Sequence, residues 1–216
     1  MKQNETFFSI LVLAAAVLWG TTGTAQSFAP PGASPLSVGS VRLAVGGVAL
    51  LIFAWRQGAL GGRTLWYKRS TFLAAGCMAA YQLFFFAGVL KTGVAVGTVV
   101  TIGSAPVFAG LFSLIFRREN PGLKWAVATL LAVLGCFLLV TGGQKLAVNS
   151  VGVFLALGAG VSYALYAAVS KELLESHPPE AVIGVVFSIG ALLLSPFLFF
   201  YNLDWLKTAQ GICVAL

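Results

Sequence analysis

The sequence predicts an all-α fold, a polytopic bundle of membrane-spanning helices. Of its 216 residues, 59% are hydrophobic and only 9% are charged, whereas soluble domains carry about a quarter charged residues. Charge-free stretches long enough to cross the hydrocarbon, about 20 residues each, follow one another along the chain. The 25 glycines and 17 phenylalanines agree, since both types are frequent in membrane proteins. A soluble fold is excluded because so few polar groups cannot cover its surface.

The uncharged stretches place seven spans and the start of an eighth. The first stretch, 6–41, is too long for one crossing, and the turn residues Ala29-Pro30-Pro31-Gly32 divide it. A cleaved signal peptide is the alternative for its first part, but the many later apolar segments favour an uncleaved span. We predict spans at 7–26, 36–55, 70–90, 94–116, 122–142, 150–171 and 180–201, with an eighth from about Thr208.

The basic residues predict the orientation. Of the 13 Lys and Arg residues, nine lie in gaps on one side of the predicted bundle, three lie on the other, and Arg42 lies inside the second span. Because basic residues concentrate on the cytoplasmic side, we expect a cytoplasmic N-terminus in the cell inner membrane. The net charge of +7 does not indicate nucleic-acid binding, since the basic residues occupy short gaps rather than one polar face.

An internal repeat divides the chain. Residues 11–53 align without a gap on 155–197 at an offset of 144, pairing Pro35 with Pro179 and Gly46 with Gly190. About five spans fit one period, and an odd number makes the second copy enter the membrane from the opposite side. We therefore expect 1–144 to form a first five-helix repeat and 145–216 to begin a second, inverted one that is incomplete.

Several short motifs occur in or next to the predicted spans. They are Leu18-Trp19-Gly20, Val41-Arg42-Leu43, Ser104-Ala105-Pro106-Val107-Phe108, Arg118-Glu119-Asn120 and the glycine-rich fifth span around Gly135. With them the chain resembles the drug/metabolite transporter superfamily, in its EamA-like branch, over its whole length. The resemblance implies a ten-helix transporter built from two inverted five-helix repeats. Many such transporters export amino acids and other metabolites.

Polar and aromatic residues at helical spacing mark the faces that we expect to line a substrate cavity near the midplane. Under the repeat offset Trp19 corresponds to Tyr163 and Thr22 to Tyr166, so the first and sixth spans present matched positions. We expect the first, third, fourth and sixth spans to line the cavity. The predicted substrate-binding residues are Trp19, Thr22, Gln26, Tyr81, Gln82, Thr101, Ser104, Tyr163 and Tyr166.

Each of these residues also has a structural interpretation. For the Ser and Thr residues, hydrogen bonding within or between helices is the stronger one. For Trp19, Tyr81, Tyr163 and Gln82 the two interpretations are balanced, because the polar end of such a side chain needs a partner in any case.

Three further residues stand out. Arg42 is the charged residue deepest in a predicted span, and a structural role at the outer interface is favoured over substrate contact. Glu119, beside two arginines, predicts an interfacial ion pair, with a gate contact as the alternative. Pro106 interrupts the fourth span and is a candidate hinge, because proline removes a helical hydrogen bond and permits a kink.

The function that this pattern favours is a secondary transporter, an exporter of small metabolites such as amino acids that works by alternating access. The alternative is a non-transporting integral membrane protein, either a truncated gene product or a helical partner subunit. Enzyme motifs such as His-Glu-x-x-His and Gly-x-Ser-x-Gly are missing from the sequence, and no metal or cofactor is expected. The expected partners are the lipid bilayer and a small-molecule substrate.

Overall fold

The computed structural model describes residues 28–60, 63–117, 122–141 and 149–215, together with Ile10, Leu13, Ala14 and Val17 of the first predicted span. Regular structure in these residues is entirely helical, which confirms the predicted fold class. The helices are α1 (Pro35–Arg56), α2 (Arg63–Tyr67), α3 (Arg69–Thr92), α4 (Val94–Phe112), α5 (Gly122–Thr141), α6 (Ser150–Leu174), α7 (Pro179–Leu198) and α8 (Ala209–Ala215).

Five of the described helices are long and apolar enough to cross a membrane: α1, α3, α4 with its continuation to Ile115, α6 and α7. A sixth, α5, contributes a shorter apolar stretch, Gly122–Gly135. Large apolar side chains lie on the outside of the bundle, among them Leu130, which is 59% exposed, and Leu192, which is 69% exposed. Such a surface requires lipid around it, so the chain is a multi-pass membrane protein.

The second to seventh predicted spans and the start of the eighth coincide with helices, with differences at their ends. The fourth span ends as an α-helix at Phe112 and continues as a π-helix, Ser113–Arg117. Helix α6 runs on to Leu174 because a helix can extend beyond the hydrocarbon, where apolar length no longer marks it. Helix α2 and the 3₁₀-helix Asp204–Lys207 escaped prediction because they are too short to show a period. Most of the first span lies outside the described residues.

Local chemistry explains several helix ends. Pro35 and Pro179 occupy the first turns of α1 and α7, where a missing N–H costs nothing. At the start of α6 the Asn149 side chain accepts a hydrogen bond of 3.2 Å from the Gly152 N–H. Gly93 separates α3 from α4 with φ of 83°, a conformation that side chains disfavour, and so allows the chain to turn back.

Helices α1 and α7 pack antiparallel through glycines. A methyl group on Gly47 would lie 2.8 Å from the Ser188 backbone nitrogen, and one on Gly184 would lie 3.0 Å from the Leu51 nitrogen. Since 47 faces 188 while 51 faces 184, the two helices run in opposite directions. They are also the two helices that the 144-residue offset equates, so this packing is the one that an inverted repeat would produce. The division of the chain into repeats itself stays a prediction.

Helix α6 lies between α3 and α4. It runs antiparallel to α3, because Gly88 approaches Ala156 while Thr92 approaches Gly152. It runs parallel to α4, because Thr101 meets Ala156 while Ser104 meets Gly160. These directions are the ones that successive crossings of a membrane produce.

The connecting segments gather at two opposite ends of the bundle. At one end the Lys68 ammonium donates to the Ser176 hydroxyl at 3.2 Å, and the Ser70 hydroxyl donates to Glu172 at 3.3 Å. At the other end the Gln210 amide donates to the Phe28 carbonyl at 2.8 Å. A buried cluster of Val38, Trp205, Val214 and Ala215 closes that second end.

Candidate functional site

A cavity of about 300 Å³ lies between α3, α4 and α6. Its volume is at the lower end of the range of small-molecule sites, which suits a metabolite of modest size. Its walls are mainly small and apolar side chains with two tyrosines. They are Tyr81 of α3, Thr101, Ile102, Ala105, Pro106 and Ala109 of α4, and Tyr163, Ala164 and Ala167 of α6.

Aromatic rings run from the cavity wall into the bundle. The Tyr81 and Tyr163 ring centroids lie 5.5 Å apart, which joins α3 to α6 across the cavity. Tyr163 is followed by Tyr166 at 5.8 Å, and Tyr166 by Phe187 of α7 at 6.2 Å. On the other side Tyr81 stacks on Phe85 at 5.7 Å. Ring pairs at these separations attract one another, so the wall is held in place by its own packing.

The hydroxyl groups of α4 serve helix packing. Thr101 is buried, and its hydroxyl donates to the Ala156 carbonyl of α6 at 3.1 Å. The Ser104 hydroxyl donates at 3.2 Å to the Thr101 carbonyl of its own helix and lies against Gly160. The Thr101 hydroxyl therefore joins α4 to α6, the Ser104 hydroxyl is used within α4, and the cavity wall is largely apolar.

Pro106 alters the backbone of α4 at the cavity. Because proline has no N–H, the Ile102 carbonyl, four residues earlier, loses its helical partner. Ile102 and Pro106 both line the cavity, so the interruption lies on its wall. Pro196 frees the Leu192 carbonyl of α7 in the same way, but there the Ser195 hydroxyl donates to it at 2.8 Å.

The structure brings four predicted site residues together around the cavity, namely Tyr81, Thr101, Tyr163 and Pro106. Gln82, Ser104 and Tyr166 are half-buried nearby but do not line it. Gln82 is turned about 100° from Tyr81 on the same helix, Ser104 bonds to its own helix, and Tyr166 packs on Phe187. The positions predicted at Trp19, Thr22, Gln26 and Glu119 lie outside the described residues.

Arg42 lies away from the cavity. It belongs to α1, none of whose residues lines the cavity, and its side chain is half-buried. Within the described part of the chain its Nη1 atom is buried without a hydrogen-bond partner. It lies one turn from Val38, which belongs to the cluster that closes one end of the bundle. The choice between a structural role and substrate contact for Arg42 stays a prediction.

Sequence reasoning missed five lining residues: Ile102, Ala105, Ala109, Ala164 and Ala167. Three of them share the face of α4 that carries Pro106, at positions −4, −1 and +3 from it. That spacing could have identified them once Pro106 was chosen. Ala164 and Ala167 carry no such signal, because alanine is equally common where helices pack tightly.

Charged groups are confined to the ends of the helices near this cavity. Its lining residues contain no Asp, Glu, Lys or Arg. At the end of the bundle that holds the 3₁₀-helix, the exposed Lys207 ammonium forms an ion pair with Asp204 and lowers the pKa of that carboxyl. Among the described residues no three metal-ligating side chains come together.

Comparison with known proteins identifies the family. Residues 6–141 and 150–216 match the EamA-like transporter family. The chain belongs to this family. It is 44% identical over 216 residues to the uncharacterized transporter YwfM of Bacillus subtilis (strain 168), covering 100% of this chain and 72% of that relative.

Two more distant relatives of this EamA-like chain are named as a transporter and as an exporter. The uncharacterized inner membrane transporter YicL of Salmonella typhimurium is 29% identical over 195 residues, 86% of this chain and 64% of its own length. The threonine/homoserine exporter RhtA of Escherichia coli (strain K12) is 31% identical over 193 residues, 87% of this chain and 60% of its own length. The chain thus spans less than two thirds of these two relatives.

The EamA-like chain also matches a protein crystal structure with a TM-score of 0.74 and 18% sequence identity. The match covers 94% of this chain and 70% of the other. At that identity the similarity concerns the fold alone. The resemblance drawn from the sequence motifs is confirmed by the family match.

Proposed function

We propose that the protein is a secondary transporter of the cell inner membrane that exports small amphiphilic metabolites, amino acids among them. The observation that carries the proposal is the cavity between α3, α4 and α6, with Tyr81 and Tyr163 on its wall inside membrane-spanning helices. Membership of a transporter family supports it, as does the relative named as an exporter of threonine and homoserine.

The cavity wall suits an amphiphile. Ile102, Ala105 and Ala109 offer apolar surface to the carbon skeleton. The faces of the Tyr81 and Tyr163 rings attract a cation such as a protonated amine. A site of this kind can hold a zwitterion weakly enough to release it, which transport requires.

Alternating access would use one tightly packed helix pair, α1 with α7, and one interrupted helix, α4. The antiparallel pair α1 and α7 packs on backbone and provides a firm seam on which two inverted repeats can rock. Pro106 weakens α4 at the cavity, so this helix can bend as the cavity changes the side to which it opens. The repeats would then alternate around a shared site at the midplane.

The orientation belongs to the same proposal. We place the end with Lys68 and Ser176 in the cytoplasm and the end with Lys207 outside, because the basic residues are concentrated in the gaps at the first end. The test uses Lys68→Cys and Lys207→Cys in a protein whose native cysteines are replaced by alanine. A membrane-impermeant maleimide added to intact cells should label only Lys207→Cys. Labelling of Lys68→Cys alone would show that the orientation is the opposite of the one proposed.

Transport itself is tested with the complete protein in proteoliposomes loaded with radiolabelled L-threonine. Efflux faster than from protein-free liposomes is expected. Efflux at the protein-free rate for threonine, homoserine and a panel of other amino acids would contradict the proposal. Repeating the measurement with a pH gradient separates two coupling modes: an unchanged rate indicates facilitated or exchange transport, and a faster rate indicates proton coupling.

A further inference from the structure

The short helix α2 lies at the end of the bundle where Lys68 meets Ser176, which we call the Lys68 end. Although α2 has only five residues, its Leu65 is 2% exposed. Leu65 belongs to a buried cluster to which α1, α3, α6 and α7 also contribute. The other members of this end cluster are Ala54, Ala74, Ala75, Leu173, Ala181, Val182, Val185 and Val186. Leu65 therefore fills space between the spanning helices at the Lys68 end.

Helix α2 is attached firmly to α3 and weakly to α6. The buried Thr71 hydroxyl of α3 donates to the Leu65 carbonyl at 2.6 Å. Toward α6 and the turn that follows it, the links are two exposed hydrogen bonds between side chains, Lys68 with Ser176 and Ser70 with Glu172. Exposed polar contacts contribute little to stability, because water competes for both partners. Helix α2 and the start of α3 can therefore leave α6 together.

At the opposite end, α3 and α6 are in contact through glycines. A methyl group on Gly88 would lie 3.1 Å from the Ala156 nitrogen, and one on Gly152 would lie 3.2 Å from the Gly88 carbonyl oxygen. Backbones this close leave no side chain that can rearrange between them, and close backbone contact is what holds helices together in a membrane. A rotation of α3 against α6 would therefore pivot at this glycine contact and separate the two helices at the Lys68 end.

The end cluster lies between the cavity and the Lys68 end. Along α3, Ala75 of the cluster is six residues from Tyr81 of the cavity wall, and along α6, Leu173 of the cluster is six residues from Ala167 of the cavity wall. Six residues correspond to about 9 Å along a helix. Tyr166 packs against the end cluster and also against the cluster that contains Tyr81. A molecule that moves along α3 and α6 from the Lys68 end to the cavity must therefore pass the end cluster.

We propose that α2 is a lid that closes the Lys68 end and lifts with the start of α3 to admit the substrate. The inference rests on the proposed function, which it deepens: in the proposed orientation this end faces the cytoplasm, from which an exporter takes its substrate. When the lid lifts, Leu65 leaves the end cluster and the links of Lys68 and Ser70 break. The bond from Thr71 to the Leu65 carbonyl persists, because α2 moves with α3. Lids of this kind control access to many binding sites.

The first test locks the lid. Ser70→Cys and Glu172→Cys are combined in the complete protein, with its native cysteines replaced by alanine, and are joined by a short, reducible bifunctional thiosulfonate. Crosslinking should stop amino-acid efflux from proteoliposomes, and reduction should restore it. Each single-cysteine variant, compared before and after the reagent, should lose less than about twofold. Unchanged efflux at complete crosslinking would overturn the inference.

The second test measures the lid movement without transport. Spin labels are placed on Tyr67→Cys of α2 and Lys171→Cys of α6, both of which are exposed at the Lys68 end. The matched control pair, Lys91→Cys and Val151→Cys, is exposed beside the glycine contact. Pulsed electron paramagnetic resonance in nanodiscs should give two distances for the lid pair, in a ratio that changes when L-threonine is added, and one unchanged distance for the control pair. Two distances in both pairs would exclude the pivot and overturn the inference.

The two tests separate the inference from the proposed function. A single, unchanging distance for the lid pair in a protein that exports amino acids would overturn the lid and leave the proposed function intact. A complete protein that exports no amino acid would reject the proposed function and, with it, the admission of substrate by the lid. The spin-label distances would then still decide whether α2 moves away from α6.

Discussion

The α1–α7 seam and the space between α3, α4 and α6 are built from similar apolar helices, yet one is closed and the other is open. At the seam Gly47 and Gly184 bring the two backbones together, with no room for one methyl group. Alanines of α4 and α6 and the Tyr81 and Tyr163 rings surround the cavity, although Gly88 and Gly160 bring α3 and α4 into close contact with α6 beside it. Small residues lie at both places, so the helix faces that meet decide whether a space remains, because lipid supplies no hydrophobic force between helices and packing alone sets their distance.

The polar residues around the cavity also differ in role. The Thr101 hydroxyl donates to the Ala156 carbonyl and joins α4 to α6 at the edge of the cavity, whereas Tyr81 and Tyr163 contribute their rings to its wall. A substitution should therefore change stability, transport or both according to the region that it falls in. Three substitutions, each with a matched control, test this division.

The largest effect is expected at the seam. Gly47→Ala should lower the free energy of unfolding by roughly 2 kcal/mol, because the added methyl meets the Ser188 backbone and the helices must separate. The measurement is SDS-induced unfolding in mixed micelles. Gly46→Ala is the control: nothing lies within 4 Å of a methyl there, so its stability should be equal or slightly higher. An equal loss of unfolding free energy in Gly47→Ala and Gly46→Ala would show that the seam is not closely packed.

The next effect falls on transport. Tyr163→Ala should reduce amino-acid efflux about tenfold, roughly 1.4 kcal/mol, at normal membrane abundance, because it removes one wall of the cavity. Tyr67→Ala, at a tyrosine that is 78% exposed outside the bundle, should transport normally. Efflux per molecule is measured in proteoliposomes after quantifying the protein. Normal efflux in Tyr163→Ala would remove this tyrosine from the site.

The smallest effect distinguishes structure from binding in α4. Thr101→Val should cost about 0.6 kcal/mol of stability, a typical value for a hydrogen bond between membrane helices, and should leave efflux nearly unchanged. Thr92→Val is the control, since the Thr92 hydroxyl bonds to Gly88 of its own helix. If efflux fell as far in Thr101→Val as in Tyr163→Ala, the Thr101 hydroxyl would be assigned to substrate binding.

Part of the candidate site could be predicted from the sequence. Tyr81 and Tyr163 stood out as polar aromatic residues inside apolar spans, and Pro106 because proline breaks a helical hydrogen bond. Gln82 and Tyr166 stood out in the same way as the two tyrosines but do not line the cavity. Helical spacing gives the relative angle between two side chains, and only the neighbouring helices determine which angle faces the cavity.

The sequence by itself determined the number and length of the described spans, because the thickness of the hydrocarbon sets how many apolar residues a helix needs. It also equated α1 with α7 as corresponding helices, since Pro35 and Gly46 recur as Pro179 and Gly190 144 residues later. Only the tertiary structure decided that Ala164 and Ala167 line a cavity while Gly47 and Gly184 close a seam. Small residues permit both arrangements, and the choice depends on which helices meet at each face.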